Sequence, residues 1–257
     1  MREGIIASVL MAALTLGVVD TVEAETIIRN VKSGQSPREV VGRGFRDFVR
    51  ETWVPARSYG AQIVADPPGN LNGKAVRMEL RYGDCGREKK WDDCARNNER
   101  VEFAKYDAFK HGQRKKYQWY VYFAPGFSDT GAQQIIVTQF SMMGANSHPF
   151  QFAVRGNKLI ALKRVESTDW NYESLVRTII PAGNLTGRWH KINVDAKWST
   201  NDDGHFIVWV NDAAVYQWTG RTLGDGTVGK FKLGMYRNKV RSSAPPVVLY
   251  FAGIKGN

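Results

Sequence analysis

Apolar and polar residues alternate in short runs along most of this chain, the period-2 signature of strands that bury one face. The runs predict strands over residues 61–65, 75–81, 100–105, 117–123, 134–141, 150–155, 158–163, 176–180, 190–198, 205–210, 213–218, 230–236 and 247–254. Turn-forming clusters separate them: Pro67-Pro68-Gly69-Asn70, Arg155-Gly156-Asn157, Asp202-Asp203-Gly204 and Asn211-Asp212. The last pair stands between two strand patterns and predicts a tight hairpin. Helical periodicity is sparse, with one short helix expected within residues 37–49. Strands at regular spacing without helical crossovers predict an all-β fold, a sandwich or jelly roll of two antiparallel sheets. No linker-like stretch and no internal repeat divides residues 25–257, which are expected to form a single domain.

The segment 1–24 reads differently. Arg2 precedes an apolar run over residues 4–19, and Val22-Glu23-Ala24 supplies small residues where a signal peptidase reads them. The segment is expected to be a signal peptide, with an uncleaved membrane anchor as the alternative. No second apolar span follows, so the product is expected to be periplasmic or secreted, with no membrane contact after removal of the leader. Cys85 and Cys94, the only cysteines, then lie in an oxidising compartment and are expected to close one local disulfide. Two cysteines without a nearby histidine cannot complete a zinc site.

Composition narrows the class. Hydrophobic residues at 43% and charged residues at 24% fit a globular chain and exclude wholesale disorder or a polytopic membrane protein. The net charge is +11, and the leader carries Arg2 against Glu3, Asp20 and Glu23, so its removal raises the charge to +13. Such a basic protein attracts polyanions. Outside the cytoplasm, and without a nucleic-acid-binding motif, an acidic glycan is the better partner and nucleic acid a poor one.

Three strands carry candidate chemistry. In the 230–236 pattern, Phe231, Leu233 and Met235 face a core, while Lys230, Lys232, Gly234 and Tyr236 share the other face. Gly234 is expected to leave open space between Lys232 and Tyr236. Arg100 and Glu102 share a face opposite Val101 and Phe103, and Gln139 and Ser141 share a face opposite Thr138 and Phe140.

In this order, Arg100-Val101-Glu102, Gln139-Phe140-Ser141 and Lys232-Leu233-Gly234-Met235-Tyr236 resemble the signature of jelly-roll polysaccharide lyases, of the heparin lyase I, glucuronan lyase and alginate lyase types. Further likeness runs through the residues from Tyr117 to Pro125, from Trp189 to Val194 and from Asp203 to Asn211, so that it covers about residues 60–254. The resemblance implies a concanavalin-like jelly roll and β-elimination on an acidic, uronic-acid-containing polysaccharide. That reaction removes the C5 proton of a uronate, needs its carboxylate neutralised, and needs an acid for the leaving oxygen. Arg100 and Gln139 are the implied donors to the carboxylate, with Glu102 orienting Arg100. Tyr236 is the implied acid, and Lys232 beside it would favour the phenolate if Tyr236 also served as base.

One position departs from the pattern. Many relatives place histidine where this chain has Ser141. Three alternatives follow: His148 swings in from a loop, Tyr236 does both jobs, or the protein is a non-catalytic carbohydrate-binding protein of the same fold. Tyr120 and Tyr122 share a strand face and could stack on sugar rings or simply pack. His111, beside Arg114-Lys115-Lys116, and the strand residues His190 and His205 are expected to be structural or solvated. The carboxylate pattern of jelly-roll glycoside hydrolases, Glu-x-Asp-x-x-Glu, is absent. No cofactor is implied, a structural Ca²⁺ is not readable from the chain, and a monomer is expected.

Overall fold

The alternating stretches pair into two large antiparallel sheets. The computed structural model describes residues 25–52, 54–88, 91–143, 148–164, 175–224 and 228–257; the expected leader at 1–24 lies outside them. In chain order the strands begin with β1 (Thr26–Asn30), β2 (Val49–Arg50), β3 (Ala61–Ala65), β4 (Ala75–Leu80), β5 (Arg87–Glu88), β6 (Trp91–Asp92), β7 (Glu99–Lys110), β8 (Arg114–Phe123) and β9 (Gln134–Met142). They continue with β10 (Phe150–Arg155), β11 (Lys158–Lys163), β12 (Leu175–Ile180), β13 (Trp189–Lys197), β14 (His205–Val210), β15 (Ala213–Thr219), β16 (Val228–Asn238) and β17 (Val247–Gly256). One sheet has eight strands in the order β1-β3-β4-β17-β8-β13-β14-β15, and the other seven in the order β12-β11-β10-β9-β16-β7-β2. β5 and β6 form a small separate ribbon.

The hairpin at Asn211-Asp212 forms as expected: Val210 pairs with Ala213, and both loop residues have positive φ, 50° and 67°. Gly156-Asn157 turns β10 into β11 in the same way, at 59° and 56°. Such two-residue turns match the twist of the strands that they join.

The predicted helix at 37–49 does not form. The segment is a series of turns that buries Val40, Phe45 and Phe48 in the core. Its apolar spacing reads as helical, but its backbone is committed elsewhere: Ile254 donates its N–H to the Val40 carbonyl and Gly42 donates to the Ile254 carbonyl. Gly44, at φ +81°, lies where an added Cβ would come 2.4 Å from the Gly256 carbonyl oxygen. The segment thus seals the end of β17, and close approach overrides helix pattern.

The space between the sheets is filled by aromatic rings. Phe140 of β9 meets Tyr117, Phe206 and Phe231 at centroid distances of 5.2, 5.2 and 5.1 Å, and Trp198 at 5.4 Å. Phe150 stacks on Phe206 at 3.8 Å. Burial of each such ring contributes about 1.5–3 kcal/mol, and the ring pairs couple the two sheets. Truncation of Phe140 to alanine is expected to cost about 3–5 kcal/mol. The check is the urea unfolding midpoint with unchanged m-value; a loss under ~1 kcal/mol would mean that the sheets are held together elsewhere.

Candidate active site

Phe103, Phe140, Phe152 and Phe231 point from β7, β9, β10 and β16 into the core. Period 2 then turns Arg100, Glu102, Gln139, Ser141, Gln151, Lys230, Lys232 and Tyr236 to the outer face of the seven-stranded sheet. Register makes them neighbours. Tyr236 pairs with Arg100, Gly234 with Glu102, Lys232 with Gln139, Lys230 with Ser141, and Gln151 with Gln139. A register break places both Gly234 and Met235 of β16 opposite Val137 of β9. Beyond this bulge Tyr236 lies beside Ile136 and packs on an apolar patch of Ile136, Ala153, Ile160 and Leu162.

Gly234 does not leave open space. A Cβ there would come 2.3 Å from the Val101 carbonyl oxygen and 2.6 Å from the Glu102 Cα. The glycine lets β7 press against β16, which brings Glu102 to Lys232.

Glu102 is the hub of a buried polar network. Its Oε2 accepts from Arg100 Nη1 and Lys232 Nζ, each at 2.9 Å, and its Oε1 accepts from Gln139 Nε2 at 2.5 Å. Lys232 also donates to Glu51 Oε2 at 2.9 Å. Arg100 grips Asp93 with two parallel hydrogen bonds, Nε to Oδ2 at 2.7 Å and Nη2 to Oδ1 at 2.9 Å. Gln139 accepts from Gln151 Nε2 at 3.3 Å, and Gln151 accepts from Arg164 Nη1 at 2.7 Å. Glu102, Lys232, Glu51 and Asp93 are almost fully enclosed, so these charges persist only because each is paired. Burial works against ionisation of Glu102, but Lys232 and Arg100 outweigh it and hold the carboxyl below its usual range. Burial likewise opposes the charge on Lys232, and Glu102 and Glu51 hold it above the usual lysine value.

Tyr236 contradicts the expectation of a favoured phenolate. Burial pushes its phenol up to about 12; Arg100, 4.2 Å over the ring, opposes this, and Asp93 and Glu102 add to it. Lys232 is absorbed by its two carboxylates and does not activate the phenol. His148 reaches the position where the strand lacks histidine: its Nδ1 lies 2.7 Å from Ser141 Oγ. Burial, then Lys232, Arg164 and Lys230, hold the imidazole down to about 3, hence neutral. Lys230 is half-buried, 5.8 Å from the Tyr106 ring, and has no carboxylate in ion-pair contact among the described residues. Burial and the neighbouring Lys232 lower its pKa.

Arg100, Glu102, Gln139, Ser141, His148, Lys232 and Tyr236 therefore come together. Tyr120 and Tyr122 do not. They belong to β8, in the other sheet, and pack in a separate cluster with Val64, Ala75 and Tyr250. Sequence reasoning missed Asp93, Glu51, Gln151 and Arg164 as members of the network, and gave Lys230 no role beside them. Asp93 had a local signal, its place beside Cys94. The Cys85–Cys94 disulfide forms, with Cα atoms 5.2 Å apart, and ties the loop that presents Asp93 to Arg100. Glu51 lies 181 positions from Lys232 and had no signal at all. Among the described residues no group of three His, Cys, Asp or Glu side chains is placed to hold a metal ion.

Comparison with known proteins places this arrangement. The polysaccharide lyase family model matches residues 49–255. The endo-beta-1,4-glucuronan lyase of the fungus Trichoderma reesei superposes with a TM-score of 0.58 at 14% identity, over 77% of this chain and 86% of its own. A mutant alginate lyase in complex with alginate tetrasaccharide gives 0.55 at 10% identity, over 90% and 94%. An alginate lyase from Pseudomonas aeruginosa gives 0.50 at 16% identity, over 71% and 82%. At such identities the structural likeness is one of fold. No curated protein matches the chain.

Glu102→Gln keeps the shape of the hub and removes its charge, leaving Arg100 and Lys232 under-compensated. The expected cost is about 3–5 kcal/mol in urea unfolding. A change within ~0.5 kcal/mol would show that the network is not what positions these side chains.

Proposed function

This chain belongs to the polysaccharide lyase family, and we propose that it cleaves an acidic, uronic-acid-containing polysaccharide by β-elimination, with Tyr236 as acid and His148 as base. The observation that carries this reading is geometric: the outer face of one sheet holds the Tyr236 phenol against Arg100 and the His148 imidazole against Ser141, with Gln139 and Lys230 on the neighbouring register positions. Solved relatives named for glucuronan and for alginate share the fold, which supports a polyuronate as substrate.

The uronate carboxylate sits against Lys230, a cation of the cluster with no carboxylate in ion-pair contact among the described residues. Gln139, whose amide gives one N–H to Glu102, has a second for the same carboxylate. These donors stabilise the charge that spreads onto the carboxylate as C5 loses its proton. His148 takes that proton. The C5–H electrons form the C4=C5 double bond, the C4–O4 bond breaks, and O4 takes the proton of the Tyr236 hydroxyl. Proton return from the imidazolium to the phenolate, through solvent, resets the site. Ser141 holds His148 in place, so serine on the strand plus histidine from the loop does the work of a strand histidine. Arg100 and Lys232, bound by Asp93, Glu51 and Glu102, act as supports that fix the position and the potential of the site. The disulfide and the leader-like segment 1–24 support action outside the cytoplasm.

Turnover is read from the ultraviolet absorbance of the unsaturated product on glucuronan and alginate. Tyr236→Phe and His148→Ala are each expected to lower kcat by about 10²–10⁴-fold with the fold retained. Absence of product from the unmodified protein on a broad polyuronate panel would overturn the reading. The pH profile has a definite sign. In the free protein burial, and after it the surrounding cations, hold His148 at about 3. A bound carboxylate offsets the cations and raises the imidazole pKa, so protonation of His148 disables the complex at higher pH than the free protein. The acid limb of kcat, which reports the complex, is therefore expected at higher pH than that of kcat/KM, which reports the free protein. Coincident limbs in wild type would remove His148 as the base.

A further inference from the structure

The basic run Arg114-Lys115-Lys116 has no part in the cluster above. It opens β8, on the other side of the sandwich, and one of its members, Lys116, lines a concavity there. There the outer face of the eight-stranded sheet carries a cavity of about 590 Å³. Across it, in register, run Trp209 of β14, Asn193 of β13, Gln118 of β8 and Lys255 of β17. Lys116 and Arg43 complete the basic part of the lining.

The chemistry of this row is specific. A register break between Val208 and Trp209 sets the indole at a bulge, where side chains are re-aimed. Trp209, Asn193 and Gln118 are half-buried, and among the described residues the two amides have no hydrogen-bond partner in the protein. Arg43, Lys116 and Lys255 are exposed, with no carboxylate in ion-pair contact among the described residues. The acidic residues of the lining are already neutralised. Asp195 accepts from Arg114 at 2.9 and 2.6 Å and contacts His205 at 3.1 Å, and Asp212 accepts from Lys191 at 2.8 Å. The cavity therefore offers a flat indole, two uncommitted amides and a surplus of positive charge. Indole rings cover the C–H face of a pyranose, amides bond its hydroxyls, and ammonium and guanidinium groups bind its carboxylate.

The geometry points to a second, non-catalytic binding site for an acidic polysaccharide on the eight-stranded sheet, which holds a long chain to the protein while another part of a chain is cleaved on the opposite face. The identity of the polyanion rests on the proposed activity; the site itself does not. Linked binding of this kind raises the local concentration of substrate for long chains and does nothing for short ones.

The test uses the full-length protein and the double variant Lys116→Ser/Lys255→Ser, both side chains being exposed and outside the cluster, with Trp209→Ala as a separate variant. Each is also made on the Tyr236→Phe background, so that binding is read without cleavage. Retention in gels containing alginate or glucuronan is expected to weaken at least fivefold in both variants, more at low salt for the lysine pair. In the cleaving background KM for the polymer is expected to rise threefold or more, with kcat on tetrasaccharides unchanged. Unchanged retention would overturn the site, as would equal retention by a neutral β-glucan or by single-stranded DNA. Loss of tetrasaccharide turnover in step with polymer turnover would overturn it too, since the variants would then act through the cluster. A protein that binds but never cleaves would leave the second site standing and remove the lyase reading, so the two fail separately.

Discussion

The carboxylate of Glu102 holds the candidate active site together. It accepts hydrogen bonds from its own strand through Arg100, from β16 through Lys232 and from β9 through Gln139. A charge so enclosed would be costly if unpaired, and so would each cation without it. The cluster is therefore cooperative: its members keep their charges and positions only as a set. That set is large enough to shape its rim, where Lys230 has no carboxylate in ion-pair contact among the described residues and burial, with the nearby cations, keeps His148 neutral.

Backbone exceptions make the hub reachable. In a regular sheet the outer face would be a flat lattice. The register break at Val137 shifts Tyr236 onto an apolar patch, where burial keeps its proton. Gly234 removes a Cβ that would hold β7 and β16 apart at Glu102. The disulfide loop adds the last constraint, since Asp93 beside Cys94 turns Arg100 into a fixed strut under the Tyr236 ring. Irregularity and function coincide here because a regular ladder can hold side chains only at lattice spacing.

The two outer faces of the sandwich divide the positive charge by its partners. On the seven-stranded sheet Arg100 and Lys232 are locked by carboxylates and set a potential. On the eight-stranded sheet Arg43, Lys116 and Lys255 stay open to solvent beside Trp209. The net charge of +11 is thus not a uniform coat. Part of it is internal structure, and part is surface that an anionic chain can reach.

Strand alternation is local, and the chain alone determined it: the all-β sandwich, the Asn211-Asp212 hairpin and the shared face of Arg100 and Glu102 all follow from period 2 and turn chemistry. The order of motifs also brought Gln139, Lys232 and Tyr236 together on paper, because neighbours across a sheet inherit their faces from the same alternation. What the chain could not express was anything decided by distance along it. Glu51 meets Lys232 across 181 positions, and Tyr120 and Tyr122 sit on the wrong sheet, because strand pairing is a property of the closed fold. Tyr236 shares a strand face with Lys232, the cation that a phenolate would need, yet its phenol is held protonated, since burial and the partners of that lysine exist only after folding. The turns at 37–49 carry a helical apolar spacing, but contact with β17 outweighs it. Residue types and faces are written locally; charge states and counter-ions are settled only where the tertiary structure brings distant residues out of water together.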